Sequence, residues 1–298
     1  MIFAPRNLFN GLPAVGGLTL SAFDRKLLPR FKRHFAGVRD GDSKVKIDWR
    51  RERDLFFTAL RFLTRIRVPG SLPHSAEGLD AAARYFPLVG IVVGAAGALV
   101  YAVSVYLWTP AIAVLMAMLA TVMLTGAFHE DGFADTCDGF GGGWQRERVL
   151  EIMKDSRLGT YGALGLGLLM AIKFLSLEAL DNAGLVVAAL LVGHAWSRLL
   201  AVSYLIDLPY VREDDSAKSK PLATKLSGNA FRFAIVTTLP LVLLISLWQF
   251  LAVALVLLLW RWYFSYRMTR RIGGYTGDCL GAAQQVAEVL IYLILVAI

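Results

Sequence analysis

Long apolar runs alternate with shorter polar segments through most of the chain. Apolar runs long enough to cross a bilayer as helices occupy Pro87–Trp108, Pro110–Phe128, Tyr161–Leu180 and Ala183–Leu205, and the first two of them are uncharged. A final apolar segment, which follows the polar loop 267–277, ends at Ile298. Because runs of this length and composition are typical of transmembrane helices, the pattern predicts an all-α, polytopic integral membrane bundle.

The uncharged run Phe233–Trp260 is longer than one crossing requires. It predicts either one long helix or two shorter helices that bend near Pro240 or near Trp248 and Gln249. With two crossings in this region, the bundle has about seven transmembrane helices.

Two shorter helices are predicted before the first span. Residues 49–67 have the periodicity of an amphipathic helix, and residues 75–86 form a short helix that leads to Pro87. Residues 1–48 are basic and lack a clear apolar period. We therefore expect a basic N-terminal extension at 1–48 and a membrane-embedded domain at 49–298.

Composition agrees with this architecture. Hydrophobic residues make up 56% of the 298-residue chain, and the mean hydropathy is +0.55. These values exclude an ordinary soluble globular domain and make the lipid bilayer the expected surroundings. The two cysteines, Cys137 and Cys279, are too few for a disulfide framework or a thiolate metal site.

The net charge of +8 is distributed in a way that predicts sidedness. Lysine and arginine lie in the long polar segments, and only Lys173 and Arg198 fall inside predicted spans. By the positive-inside rule every long polar loop is cytoplasmic, which requires two crossings within 233–260. The positive charge therefore reflects topology, and we expect no nucleic-acid partner.

The most unusual polar stretch is His129–Gly143, HEDGFADTCDGFGGG. On a helix, Asp131, Asp135 and Asp138 are spaced i, i+4 and i+7, so their carboxylates share one face. Like charges at this spacing repel each other, and a bridging cation would relieve the repulsion. Oxygen ligands favour Mg²⁺, and a solvated acidic helix end is the simpler alternative.

Other polar groups favour a phosphate ligand at the same membrane face. The glycines Gly139, Gly141 and Gly142 would allow close approach of a ligand. Lys154 and Arg157, which flank Asp155 and Ser156, are typical phosphate clamps, although a solvated helix end is equally compatible with that sequence.

A second glycine-rich loop leads into the last helix. It contains Gly274 and Thr276, and Asp278 follows it on the same helix face as Glu288. Glu288 and Arg198 lie at membrane depth, where charged residues are costly and usually functional. Arg198 either contacts substrate or pairs with a carboxylate inside the bundle. Together these features predict a metal-bound phosphate or diphosphate substrate at the cytoplasmic face.

The chain resembles the cobalamin synthase (adenosylcobinamide-GDP ribazoletransferase) family. The motifs that carry the resemblance are Phe62–Arg65, Tyr85–Gly90, His129–Gly139, Met153–Gly162, Ser197–Arg198 and Gly274–Ala282. They occur in order over about residues 50–298. One departure is Arg67, which stands where the family usually has proline.

The resemblance implies a Mg²⁺-dependent phosphotransferase in the bacterial inner membrane that acts in cobalamin biosynthesis. Its substrates would be adenosylcobinamide-GDP and α-ribazole or α-ribazole 5′-phosphate, with GMP released. Homo-oligomerisation is left open by the sequence.

The site residues are assigned by role as hypotheses. The predicted metal ligands are Asp131, Asp135, Asp138 and Asp278. The predicted catalytic residues are Asp155 and Glu130, one of which accepts the hydroxyl proton, together with Lys154 and Arg157. The predicted substrate-binding residues are Arg65, Gly139, Gly141, Gly142, Ser156, Arg198, Gly274, Thr276 and Glu288.

Three other classes of protein were compared with this pattern. A CDP-alcohol phosphotransferase needs arginine after the alanine of its aspartate motif, but Ala134 is followed here by Asp135. A membrane prenyltransferase would also bind diphosphate through aspartates, but it would not need the second glycine-rich loop. A cation-coupled transporter should show an internal repeat and deep carboxylates, and no repeat is found.

Overall fold

The structure is a computed structural model that describes residues 48–68, 76–211 and 223–298. These residues belong to the unit Ile47–Ile298. The predicted basic extension, apart from Asp48, lies outside the described residues.

The described ranges form eleven α-helices joined by short 3₁₀ segments and loops. The helices are α1 (Trp49–Leu63), α2 (Ala76–Ala82), α3 (Phe86–Ser104), α4 (Pro110–Thr125), α5 (Phe128–Gly142), α6 (Arg146–Lys154), α7 (Thr160–Glu178), α8 (Ala183–Ser203), α9 (Gly228–Thr238), α10 (Leu247–Ile272) and α11 (Gly277–Ala297). The described part contains no strand, only an isolated bridge between Tyr210 and Tyr275. The all-α prediction is therefore confirmed.

Several helices are long and apolar enough to cross a membrane. In the described ranges these are Glu77–Ser104, Thr160–Glu178, Ala183–Ile206, Leu247–Ile272 and Gly277–Ala297. A bent pair, α4 with α5, makes a sixth span if it is counted as one. Lipid contact is also indicated by exposed apolar side chains on α10, such as Leu255 and Leu258. These features are those of a polytopic membrane protein.

The predicted span Pro110–Phe128 ends three residues early. Helix α4 stops at Thr125, and α5 begins at Phe128 with its axis turned by 87°. Both linking residues, Gly126 and Ala127, have positive φ angles of 70° and 59°. A left-handed pair of residues cannot continue a right-handed helix, so the acidic stretch forms a separate helix across the end of α4.

The long uncharged run 233–260 contains a break. Pro240 lies near the start of a 3₁₀ segment, Leu239–Leu244, and α10 starts after Ser246. The Ser246 side chain accepts a hydrogen bond from the Gln249 N–H, and the Gln249 side chain accepts one from the Ser246 N–H. This capping box starts a new helix, so the run forms two helical segments, not one.

Glycines let the central helices approach closely. A Cβ on Gly90 would lie 2.3 Å from the His194 carbonyl oxygen, and one on Gly94 would lie 2.5 Å from that of Leu190. The residue numbers of these contacts rise along α3 and fall along α8, so the two helices pack antiparallel. A Cβ on Gly193 would likewise lie 2.4 Å from the Tyr292 ring, which places α11 against α8.

The polar segments contact one another at one end of the bundle. Asp80 accepts hydrogen bonds from the backbone N–H groups of Thr224 and Lys225, at 2.6 and 3.2 Å. The Tyr275 hydroxyl donates to the Thr224 carbonyl at 3.1 Å, and Arg271 donates to the Phe140 carbonyl at 2.9 Å. Four segments that are distant in sequence therefore share a single polar end.

Candidate active site

Two helix starts bring acidic residues together at this polar end. On α5, Asp131 is exposed and Asp135 is half-buried. A Cβ on Gly132 would lie 2.9 Å from the Asp278 Cα, so only glycine permits this contact between α5 and the first turn of α11. The structure therefore places three predicted metal-ligand positions, 131, 135 and 278, around one close helix contact.

The fourth predicted metal ligand, Asp138, is directed toward α7. Its two carboxylate oxygens accept hydrogen bonds from the backbone N–H groups of Gly159 and Gly162, each at 2.8 Å. Side chains at positions 159 and 162 would collide with this carboxylate. Asp138 thus caps the start of α7, where N–H groups lack partners within the helix. Its role as a metal ligand stays a prediction.

We expect Asp138→Asn to lower thermal stability in detergent even when EDTA is present. The amide has only one oxygen, so one backbone N–H at the start of α7 loses its acceptor, at a cost of about 1–3 kcal/mol. Thermal unfolding measured with EDTA checks this, with Asp131→Asn as the exposed control. An Asp138→Asn protein that unfolds like the wild type in EDTA would contradict the capping role.

A magnesium ion in this region would require oxygen ligands from the protein. Within the described ranges, no group of three or more histidine, cysteine, aspartate or glutamate side chains is placed to hold a metal. Asp131, Asp135 and Asp278 nevertheless offer the carboxylate oxygens that Mg²⁺ prefers. Mg²⁺ is commonly held by one or two carboxylates plus water and substrate phosphates, so these residues fit an ion that arrives with its substrate.

The glycines after the acidic stretch pack against protein side chains. Helix α5 continues through Gly142, so the expectation of a glycine-rich loop at this position is wrong. A Cβ on Gly139 would lie 2.7 Å from the Met153 side chain, and one on Gly141 would lie 2.5 Å from the Tyr161 ring. Gly142 faces Ile152 less tightly, at 3.4 Å. Close packing of α5 on α6 and α7 accounts for the first two glycines.

The predicted phosphate clamp lies at the end of α6. Lys154 and Ser156 are exposed, and Arg157 forms a bidentate ion pair with Asp155. Hydrogen bonds from Arg157 lower the pKa of the Asp155 carboxyl to about 2. Both carboxylate oxygens of Asp155 accept hydrogen bonds from Arg157, so the choice between Asp155 and Glu130 as proton acceptor stays a prediction.

The loop before α11 is held by backbone pairing. The Tyr275 N–H donates to the Pro209 carbonyl, and the Val211 N–H donates to the Tyr275 carbonyl, both at 3.0 Å. A Cβ on Gly274 would lie 2.1 Å from the Pro209 carbonyl oxygen, which explains the glycine. The buried Thr276 side chain caps α11 by accepting from the Cys279 N–H at 3.3 Å.

Arg65, the first predicted substrate-binding residue, lies at the bend between α4 and α5. Its backbone N–H donates to the Leu124 carbonyl at 2.8 Å, and its guanidinium packs over Gly126. The side chain is exposed at the same polar end.

Below the acidic residues, a buried polar network crosses the bundle. Its centre is Glu288 on α11, which is 1% exposed. Glu288 forms an ion pair with the Lys173 ammonium at 2.9 Å, and its carboxylate lies 3.2 Å from His194 Nδ1. The Tyr292 hydroxyl and the Gln284 amide also donate to its carboxylate, at 3.1 and 2.7 Å. Glu288 therefore connects α7 and α8 to α11.

The network continues toward α5 through glutamine side chains. Lys173 donates to the Gln285 oxygen at 2.8 Å, and the Gln285 amide donates to Glu130 at 2.9 Å. Arg198 donates to the His194 carbonyl at 2.9 Å. For Arg198 the predicted choice between substrate and a carboxylate inside the bundle stays open, whereas His194 contacts the Glu288 carboxylate directly.

Three members of this network were not predicted as site residues. They are Lys173, Gln284 and Gln285, and all three are buried. Lys173 donates a hydrogen bond to Gln285, and Gln285 donates one to Gln284. A lysine inside an apolar span is a signal that the sequence carries, because a buried ammonium needs a carboxylate partner. The glutamines carry a weaker signal, because an uncharged amide does not require a carboxylate partner.

The helices and the acidic polar end define a polytopic membrane protein with carboxylates clustered at one end of its helix bundle. The family model described as cobalamin-5-phosphate synthase matches residues 55–296, so the chain belongs to that family. The resemblance inferred from the motifs is confirmed, and the membership displaces the alternative transferase and transporter classes.

Curated relatives agree with the family match. The protein named adenosylcobinamide-GDP ribazoletransferase from Shewanella pealeana is 46% identical over 252 residues, covering 84% of this chain and 97% of the relative. Its namesake from Vibrio cholerae is 48% identical over 249 residues, covering 83% of this chain and 95% of the relative. No solved structure matches the chain.

Proposed function

We propose that this protein transfers the phosphocobinamide group of adenosylcobinamide-GDP to α-ribazole or α-ribazole 5′-phosphate. The observation that carries the proposal is its 46% identity to a relative named for this reaction, over 97% of that relative. The primary hydroxyl of the ribazole attacks the phosphorus attached to cobinamide. A new phosphate ester bond forms, the bond to GMP breaks, and the hydroxyl proton passes to a base.

The residues around the α5–α11 contact suit this reaction. Asp131, Asp135 and Asp278 would hold Mg²⁺, which neutralises charge on a diphosphate when it is bound. The exposed cations Arg65 and Lys154 lie in polar segments, where they can contact phosphate oxygens. Glu130, with one carboxylate oxygen accepting from Gln285, is the proposed proton acceptor, and Asp155 is the alternative.

The proposal includes a location in the bacterial inner membrane with the acidic residues on the cytoplasmic side. Its support is the concentration of lysine and arginine in the polar segments that meet at one end. Seven crossings follow if α4 and the apolar stretch Gly228–Leu244 each cross once, in addition to the five longer helices.

The reaction is tested with detergent-solubilised protein, adenosylcobinamide-GDP, α-ribazole and Mg²⁺. We expect a cobalamin and GMP to form with Mg²⁺ and neither to form with EDTA. If well-folded protein forms no product from α-ribazole or from α-ribazole 5′-phosphate, the proposed function is wrong.

We expect Asp135→Asn to reduce turnover at least about 100-fold, because it removes a charge at the metal site while leaving the fold intact. Product formation at saturating Mg²⁺ measures the effect, and size-exclusion chromatography checks the fold. Near-wild-type turnover would exclude Asp135 as a metal ligand.

A further inference from the structure

A cleft with aromatic walls lies at the polar end of the bundle, between α1, α3, α5, α8 and α11. Part of its space is open to solvent. The rings of Phe62 and Phe86 stack with their centroids 5.5 Å apart, and Phe128 meets Phe62 edge-on at 5.4 Å. All three line the cleft. An aromatic lining of this kind is typical of a small-molecule site.

Two buried nitrogen atoms in the cleft wall lack partners. His129 and Arg198 both line the cleft and are 5% and 2% exposed. In the described part of the chain, His129 Nδ1 and Arg198 Nε have no hydrogen-bond partner. Because an unpaired buried polar atom costs free energy, these atoms mark a position where a ligand would supply a hydrogen-bond partner.

The charges of the buried network that includes Arg198 are balanced. The buried network contains the carboxylates of Glu130 and Glu288 and the cations of Lys173 and Arg198. With neutral histidines these formal charges cancel. Since a phosphate would add uncompensated charge to a pocket walled by phenylalanine, the cleft favours an uncharged, flat and largely apolar ligand.

From these observations we infer that the cleft binds the benzimidazole base of the ribazole acceptor. The ring packs among Phe62, Phe86 and Phe128, and its unsubstituted nitrogen accepts a hydrogen bond from Arg198 Nε. The inference rests on the proposed function, because it takes the ribazole acceptor from that reaction.

The position of the cleft agrees with this use. Its wall includes Gly277, the first residue of α11, which directly precedes Asp278. His129 lies two residues before Asp131 on α5. A nucleoside held by its base in the cleft therefore has its ribose close to the acidic end, where the diphosphate is proposed to react.

The test uses a variant with a narrower cleft and measures the KM for each of the two substrates. Ala201 on α8 lines the cleft, and Ala201→Leu adds bulk to its wall. We expect its KM for α-ribazole to rise about tenfold or more, with its KM for adenosylcobinamide-GDP within twofold of wild type. Ala171→Leu, the same change at an exposed position on α7, serves as the control. Equal KM values for α-ribazole in Ala201→Leu and wild type would overturn the inference.

A measurement on the unaltered protein covers the case in which Ala201→Leu does not fold. A photoreactive benzimidazole is bound to the detergent-solubilised protein, irradiated, and located by peptide mass spectrometry. We expect labelling of peptides from α1, α3, α5, α8 or α11 that free α-ribazole suppresses. Suppressible labelling confined to other helices would overturn the inference.

The outcomes separate this inference from the proposed function. Suppressible labelling in the cleft without cobalamin formation would retain the binding site and reject the reaction. Cobalamin formation with an unchanged α-ribazole KM in Ala201→Leu would retain the reaction and reject the binding site.

Discussion

Replacing Glu288 with alanine is expected to destabilise the protein by about 3–5 kcal/mol, because it leaves a buried lysine without a counter-ion. The Lys173 ammonium lies 2.9 Å from the Glu288 carboxylate, and both side chains are at least 95% buried. Unfolding in detergent, followed by circular dichroism, measures the loss. Glu178→Ala, at an exposed position on α7, is the control.

A double variant isolates the ion pair from other effects of Glu288. Lys173→Met combined with Glu288→Met removes both charges and keeps most of the volume, so we expect it to regain much of the lost stability. If Glu288 served only to bind substrate, Glu288→Ala would unfold like the wild type while losing activity. That result would contradict the structural role.

The second large effect is expected for Gly90→Ala in α3. The added Cβ would lie 2.3 Å from the His194 carbonyl oxygen and 2.8 Å from the Ala195 Cα. Both are backbone atoms of α8, so one helix must move away from the other. We expect a loss of about 3 kcal/mol or more, measured by thermal unfolding in detergent.

Gly167→Ala in α7 is the matched control for this substitution. No atom lies within 4 Å of a Cβ at this position, so the change should stabilise the helix by about 0.5–1 kcal/mol. If Gly90→Ala were as stable as Gly167→Ala, the close contact of α3 with α8 would be wrong.

The sequence predicted those features that depend on local composition. Long apolar runs are sufficient to identify helices such as α7 and α8, because a bilayer permits few other structures. The acidic stretch was correctly predicted as helical, and the spacing of Asp131 and Asp135 places them on one helix face.

Features that depend on contacts between distant segments were not predicted. Gly139 and Gly141 were interpreted as ligand-binding residues, because the side chains that pack on them come from later helices. From sequence alone, Asp138 cannot be distinguished from Asp131 and Asp135 as a metal ligand. It differs because its carboxylate caps the start of α7, a contact that the sequence does not reveal. The 87° turn after Thr125 also lacks a strong signal, since Ala127 is an unusual residue for a positive φ angle.

The ion pair between Lys173 and Glu288 also has a consequence for biogenesis. Lys173 lies on α7, whereas Glu288 lies on α11, the last helix in the sequence. Translation proceeds from the N-terminus, so α7 enters the membrane while the carboxylate that neutralises its lysine has not yet been synthesised. The final helix therefore supplies the carboxylate that neutralises Lys173. A nascent chain that stops before Glu288 carries an uncompensated charge, which quality-control proteases can recognise.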